Sequence, residues 1–165
     1  MADGPGKLTG GGVRTGPPAD RVDGADGLRL SVEPNPSPSE VGIVERGLFL
    51  FEENRLGSPE HAQFAIFLRD GLGQVQGGVD GHVMWRRLFI KTLWISETLR
   101  RQGLGTRLMH AAEEEARRRQ CRSLWLTALG DRALHFYLRL DYTIFGVLED
   151  YVKDQSLYSL QKKIV

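Results

Sequence analysis

Leu99-Arg100-Arg101-Gln102-Gly103-Leu104-Gly105-Thr106 lies between a run that reads as a strand, Leu88 to Ile95, and one that reads as an amphipathic helix, Leu104 to Arg119. Such a junction suits a bound diphosphate. The first N–H groups of a helix have no intrahelical partner and the macrodipole is positive there, so an anion gains hydrogen bonds and field together. Gly103 and Gly105 lack a Cβ, which lets the backbone approach phosphate oxygens, and Arg100 and Arg101 add positive charge. Two nucleotide fingerprints are excluded by spacing. A P-loop needs a Lys directly after its second Gly, and none follows Gly105; a Rossmann turn needs a third Gly where Leu108 stands.

Farther along the chain stands Ala133-Leu134-His135-Phe136-Tyr137-Leu138-Arg139-Leu140-Asp141-Tyr142, separated from the glycine turn by one helix and one strand, Arg122 to Leu129. The Arg-x-x-Gly-x-Gly of Arg100, Gly103 and Gly105 resembles the acetyl-CoA pyrophosphate loop of the GNAT superfamily. The later stretch resembles that family's Ala-x-x-Phe/Leu-Tyr-x-x-x-Gly-Tyr/Phe helix, with Tyr137 at the Tyr. Leu93-Trp94-Ile95-Ser96-Glu97-Thr98-Leu99-Arg100-Arg101-Gln102-Gly103-Leu104-Gly105 is similar to a bacterial-type subgroup reading Leu-Trp-Val-x-Glu-x-Leu-Arg-x-Gln-Gly-x-Gly. The resemblance spans Leu28 to Val165.

The resemblance implies an α/β (α+β) fold. Its central sheet is mixed and mostly antiparallel, of six to seven strands, flanked by helices on both faces and splayed between strands 4 and 5; strand 4 is Leu88 to Ile95. It implies that backbone groups of Leu93 and Ile95 pair with pantetheine and the acetyl carbonyl. The N–H groups of Gln102, Gly103, Leu104, Gly105 and Thr106 hold the pyrophosphate beside Arg100 and Arg101, and Tyr137 protonates the leaving thiolate. Acetyl-CoA is then the cosubstrate of an N-acetyltransferase, whose acceptor is a primary amine of a small molecule or peptide, attacking directly. The alternative is a non-catalytic acyl-CoA-binding or regulatory module, because fold does not fix function. A lysine-like amine, with a pKa near ~10.4, must lose a proton before attack; Glu97, His82 and Asp150 are the candidate bases, unranked. Several positions depart from the family pattern. Asp141 stands for Gly, Asp131 for an Asn that often binds CoA, and Lys91 for a frequent Asp, while the subgroup's Asp-Tyr-Pro segment survives only as Asp150-Tyr151.

Composition bounds the rest. A chain of 165 residues with 41% hydrophobic content supports one domain, Leu28 to Val165. Residues 1–27, crowded with Gly, Pro and Asp, read as a disordered extension. A formal charge of +1 excludes a general nucleic-acid or membrane-surface binder. Arg117-Arg118-Arg119 follows Glu113-Glu114-Glu115, so i,i+4 pairing makes a solvated face. Cys121, the only cysteine, reads as a buried thiol, and the four histidines show no metal-ligand spacing, so no metal is implied. No apolar run reaches about 18 residues. A cytoplasmic location and a homodimer are both compatible with this composition.

The remaining elements follow from pattern. Leu28 to Glu33 alternates as a first strand, closed by Pro34 and Pro36, and a helix capped at Ser37 or Ser39 runs to Gly57. Ala62 to Arg69 and Gln74 to Val83 form a hairpin about Asp70-Gly71-Leu72-Gly73, with Gly71 and Gly73 in the turn. A helix from Asp131 to Leu140 and strands Tyr142 to Leu148 and Ser156 to Ile164 complete the sheet. Trp94 reads as core.

Overall fold

A computed structural model of the chain describes Leu28 and residues 30–164; the expected extension, residues 1–27, lies outside the described residues. Two compact units divide at Leu48 and Phe49. Helix α1 (Pro38–Leu56) crosses that division and has no buried residue. Pro38 occupies its first turn, where a missing N–H costs nothing, and the Ser37 carbonyl accepts from Glu40 and Val41 N–H at 3.0 and 3.1 Å. The expected strand at Leu28–Glu33 is absent from its described residues, which are exposed and belong to no strand. Alternation marks a segment able to pair, but a strand also needs a neighbour's edge.

The second unit contains β1 (Ala62–Arg69), β2 (Val75–Met84), β3 (Arg87–Ile95), a 3-10 turn at Glu97–Leu99, α2 (Leu104–Arg118), β4 (Ser123–Leu129), α3 (Gly130–Leu138), β5 (Thr143–Val152) and β6 (Gln155–Lys163). These strands form one six-stranded sheet in the order β1-β2-β3-β4-β6-β5. Only β3 and β4 are parallel neighbours, joined through α2; every other pairing is antiparallel. The sheet is thus the mixed, mostly antiparallel one the sequence implies, flanked by helices. In the β1–β2 turn Asp70 Oδ1 accepts from Leu72 and Gln74 N–H, both at 2.9 Å. Of the two turn glycines, Gly73 takes positive φ (φ 80) and Gly71 does not.

Alternate residues of the strands build the core. Val79, Leu88, Ile90, Leu124, Leu126 and Leu160 are at most 3% exposed and share one cluster with Leu108, Met109, Ala112 and Ala116 of α2 and Leu134 and Tyr137 of α3. Burying these side chains supplies the main stabilisation of the unit. Cys121 is buried as expected, which raises its thiol pKa. Two expectations are corrected. Glu115, not a ladder of i,i+4 pairs, takes both Arg118 and Arg119, while Glu113 is buried and accepts from Lys162 Nζ of β6 at 2.9 and 3.0 Å. Trp94 is not core; it is 50% exposed.

One irregularity decides where the sheet opens. In the β2–β3 register Gly81 faces Ile90 and Asp80 faces Thr92, so Lys91 is an unpaired extra residue, a β-bulge. It re-phases β3: Ile90 and Leu93, three residues apart, both turn toward the core. Pairing of β3 with β4 ends at the same place, with Ile90 opposite Leu126, although β3 continues to Ile95 and β4 to Leu129. Beyond Ile90 the two strands therefore part. This is the splay implied between strands 4 and 5, here β3 and β4 because the expected first strand is absent.

Candidate active site

Peptide groups of a strand alternate sides. Ser96 N–H donates to Gln76 C=O of the β1–β2 hairpin at 2.9 Å, so the main-chain groups of Ile95 and Leu93 turn away from β2, toward the opening. One is already engaged: Arg100 Nε donates to Ile95 C=O at 3.0 Å. The opening leads into a cavity of about 520 Å³ lined by Leu93, Ile95, Arg100, Arg101, Gly105 and Tyr137 among others. Six of the ten residues singled out in the sequence therefore meet at one place.

The other four, Gln102, Gly103, Leu104 and Thr106, do not line the cavity wall; they form the turn at its rim. Gly103 stands at φ 76, the left-handed conformation that ends the loop and starts α2. The first intrahelical bond of α2 runs from Arg107 N–H to Gly103 C=O at 3.1 Å. Among the described residues no protein oxygen accepts from the N–H groups of residues 102–106, so five donors converge at the positive end of a fifteen-residue helix. Gly105 has a different reason from the one the sequence suggested. A Cβ there would stand 3.3 Å from the Phe136 ring and 3.6 Å from Ile95 Cδ1, so its bare Cα lets α3 close against the first turn of α2.

Tyr137 sits at the inner wall, 8% exposed, its ring at 4.9 Å from Phe136 and 5.8 Å from Tyr142 in edge-on contacts. Burial pushes its hydroxyl pKa up to about 12. It therefore keeps its proton at neutral pH and is suited to donate it. The three candidate bases are scattered. Glu97 lies exposed in the 3-10 turn after β3 and Asp150 exposed on β5, at the far edge of the sheet. His82 lies on β2, half-buried, its side chain on the face opposite Val83 and Gly81. Desolvation, then the charges of His61 and Lys91, lowers the His82 pKa. Asp131 is exposed and accepts from Tyr158 OH at 3.0 Å, an acidic partner for a tyrosine and not the amide the family pattern has there.

Sequence reasoning did not bring three groups together. Arg132, Phe136 and Arg139 join the cavity from α3; their i, i+4, i+7 spacing was the available signal. On the opposite sheet face Asp80, His82, His61, Gln63 and Lys91 line a second cavity of about 590 Å³. Asp80 is directly opposite Thr92, next to Leu93, and so lies level with the fork. A row of rings, His61, His82, Phe89, Trp125 and Phe145, crosses this face with successive centroids 5.3, 5.3, 4.3 and 6.5 Å apart.

Comparison with known proteins gives the family. The sequence profile of the acetyltransferase (GNAT) family matches residues 30–142. The chain is 32% identical over 109 residues to acetyltransferase Atu2258 of Agrobacterium fabrum, covering 66% of this chain and 80% of the relative. It is also 32% identical over 102 residues to the blasticidin-S acetyltransferase of Streptomyces morookaense, covering 61% and 75%. An acetyltransferase crystal structure from Agrobacterium tumefaciens superposes with a TM-score of 0.78 at 26% identity, over 82% of this chain and 99% of that one. The chain belongs to the acetyltransferase (GNAT) family.

Proposed function

We propose that the protein transfers the acetyl group of acetyl-CoA to a primary amine of a small molecule by direct attack. The observation that carries this reading is the fork beyond Ile90 with five open N–H donors at its rim. Backbone of Leu93 and Ile95 offers the pantetheine amides a strand to pair with, and residues 102–106 offer the diphosphate its hydrogen bonds. Arg100 must release Ile95 C=O for that pairing, which frees its guanidinium for phosphate.

The acceptor enters from the opposite face, where Asp80 gives a cationic amine a counter-charge and His82, held neutral, can take a proton. The amine nitrogen bonds to the thioester carbonyl carbon, with the developing oxyanion met by preorganised main-chain donors. The carbon–sulfur bond then breaks, and the thiolate takes the Tyr137 proton. A panel of primary amines assayed by release of free thiol from acetyl-CoA tests the reading. Turnover with at least one small amine is expected, together with thermal stabilisation by acetyl-CoA. Stabilisation without turnover of any amine favours a binding module, and absence of both overturns the assignment.

A further inference from the structure

Helix α3 and its C-cap present Arg132, Phe136 and Arg139 along one stripe. Phe136 abuts Gly105, so the stripe is fixed against the first turn of α2, where the open N–H donors lie. The two guanidinium stems stand on either side of this contact, about 10 Å apart along the helix axis. With Arg100 and Arg101 they place four arginines around one cavity. Among the described residues no carboxylate pairs with any of the four; the ion pairs there involve Arg118, Arg119 and Lys162.

That is more positive charge than a diphosphate calls for. Each phosphate of the diphosphate bears one charge, which the loop donors, Arg100 and Arg101 can match. Arg132 and Arg139 are left over. Coenzyme A carries one further anion, a phosphomonoester one ribose away from the diphosphate, with a charge of about −1.5 to −2 at neutral pH. The planar fork of arginine matches such oxygens in pairs. We propose that Arg132 and Arg139 form a subsite for the 3′-phosphate of coenzyme A, by which the protein distinguishes CoA from dephospho-CoA. The proposal rests on the acyl-CoA reading above and adds a specificity that reading does not require. A purely structural role, Arg139 as a cation at the end of α3 and Arg132 as a solvated side chain, leaves the two ligands equally bound.

Calorimetric titration of the full chain with CoA and with dephospho-CoA tests it, alongside Arg132→Gln/Arg139→Gln with thermal melting as the control for folding. The wild type is expected to bind CoA about tenfold or more tightly than dephospho-CoA, as two charge-assisted contacts allow. The double variant should hold both ligands with the affinity the wild type shows for dephospho-CoA. Equal affinities in the wild type, or an undiminished preference in a folded double variant, overturn the subsite while leaving the acyl-CoA reading intact. If the wild type binds neither ligand, the acyl-CoA reading fails and the subsite fails with it. Arg132→Lys/Arg139→Lys should retain part of the preference, since charge is kept and the fork is lost.

Discussion

The N–H of Tyr142 donates to the carbonyl of Tyr137 at 3.1 Å, five residues back, while the two rings meet edge-on at 5.8 Å. With Asp141 N–H bonded to Leu138 C=O at 3.1 Å, this is a Schellman closure of α3, and its apolar contact is the tyrosine pair itself. The closure explains the spacing of the second signature: a left-handed residue must stand between the helix and the aromatic that folds back on it. Asp141 fills that position at φ 64. Asp141→Gly should stabilise the protein by about 0.5–1 kcal/mol, since glycine enters this region without Cβ strain. Urea denaturation at neutral pH reads the gain; a loss would mean that the Asp141 side chain contributes something its exposed position does not reveal.

Gly103 and Gly105 should respond differently to alanine. At Gly103 a Cβ meets open space but the backbone is left-handed, so Gly103→Ala should cost roughly 1 kcal/mol of strain and weaken CoA binding by disturbing the open donors. At Gly105 the backbone is helical and the obstacle is the Phe136 ring. Gly105→Ala gains up to about 1 kcal/mol of helix propensity, so its melting temperature should remain near that of the wild type. Its CoA affinity should nevertheless fall several-fold, because Phe136 and Tyr137 share the displaced helix. Melting curves with and without CoA separate the two effects.

Lys162 and Glu113 form a partly buried pair between β6 and α2, with the Lys162 ammonium 5.7 Å from the centre of the Tyr142 ring. Lys162→Met leaves the Glu113 carboxylate buried without its partner and should cost about 3 kcal/mol. Adding Glu113→Leu removes the orphaned charge, so the double variant should recover most of that loss. A double-mutant cycle in denaturant checks both.

Tyr137→Phe should lower turnover strongly and leave CoA affinity near normal, as measured by initial rates and calorimetry. The pH profile adds a second check. Because burial holds the Tyr137 hydroxyl near pH 12, the acid stays loaded throughout the working range, and rates should climb with pH as the acceptor amine loses its proton. A fall between about pH 8 and 10 that vanishes in Tyr137→Phe would contradict the raised pKa, whereas a Tyr137→Phe rate equal to that of the wild type at every pH would overturn the role.

His82 links acidity to folding. Its pKa is lowered in the folded protein, chiefly by desolvation, so the unfolded chain binds the proton more readily and stability declines as pH falls below about 6.5. His82→Gln should show a shallower loss between pH 7.5 and 5.5 in chemical denaturation. An unchanged slope would place the acid sensitivity elsewhere.

Much of this molecule was legible in its chain. The run through Gly103 and Gly105 and the helix through Tyr137 have fixed spacings because a helix start and a Schellman closure each demand one residue type at one place. The strands read at Ala62–Arg69 and Arg122–Leu129 are found at Ala62–Arg69 and Ser123–Leu129. What escaped was set by tertiary partners. The described residues of Leu28–Glu33 alternate like a strand yet belong to none, Trp94 looked like core because its exposure depends on the bulge at Lys91, and Glu113 looked like a surface charge because Lys162 is 49 residues away. The placement of Arg132 and Asp80 beside the cavities emerges only when α3 meets α2 and β2 meets β3.

The bulge at Lys91 also makes strand length a stricter constraint on this protein than strand composition. Loss of that single codon, with the reading frame intact, would leave Leu93 and Ile95 on the core side, since alternation would then run unbroken from Ile90, but it would remove the extra residue that bends β3. The strand would still match its neighbour residue for residue, and the gap that admits a ligand would have no reason to form. Substitutions here are forgivable in proportion to their chemistry, whereas indels are not.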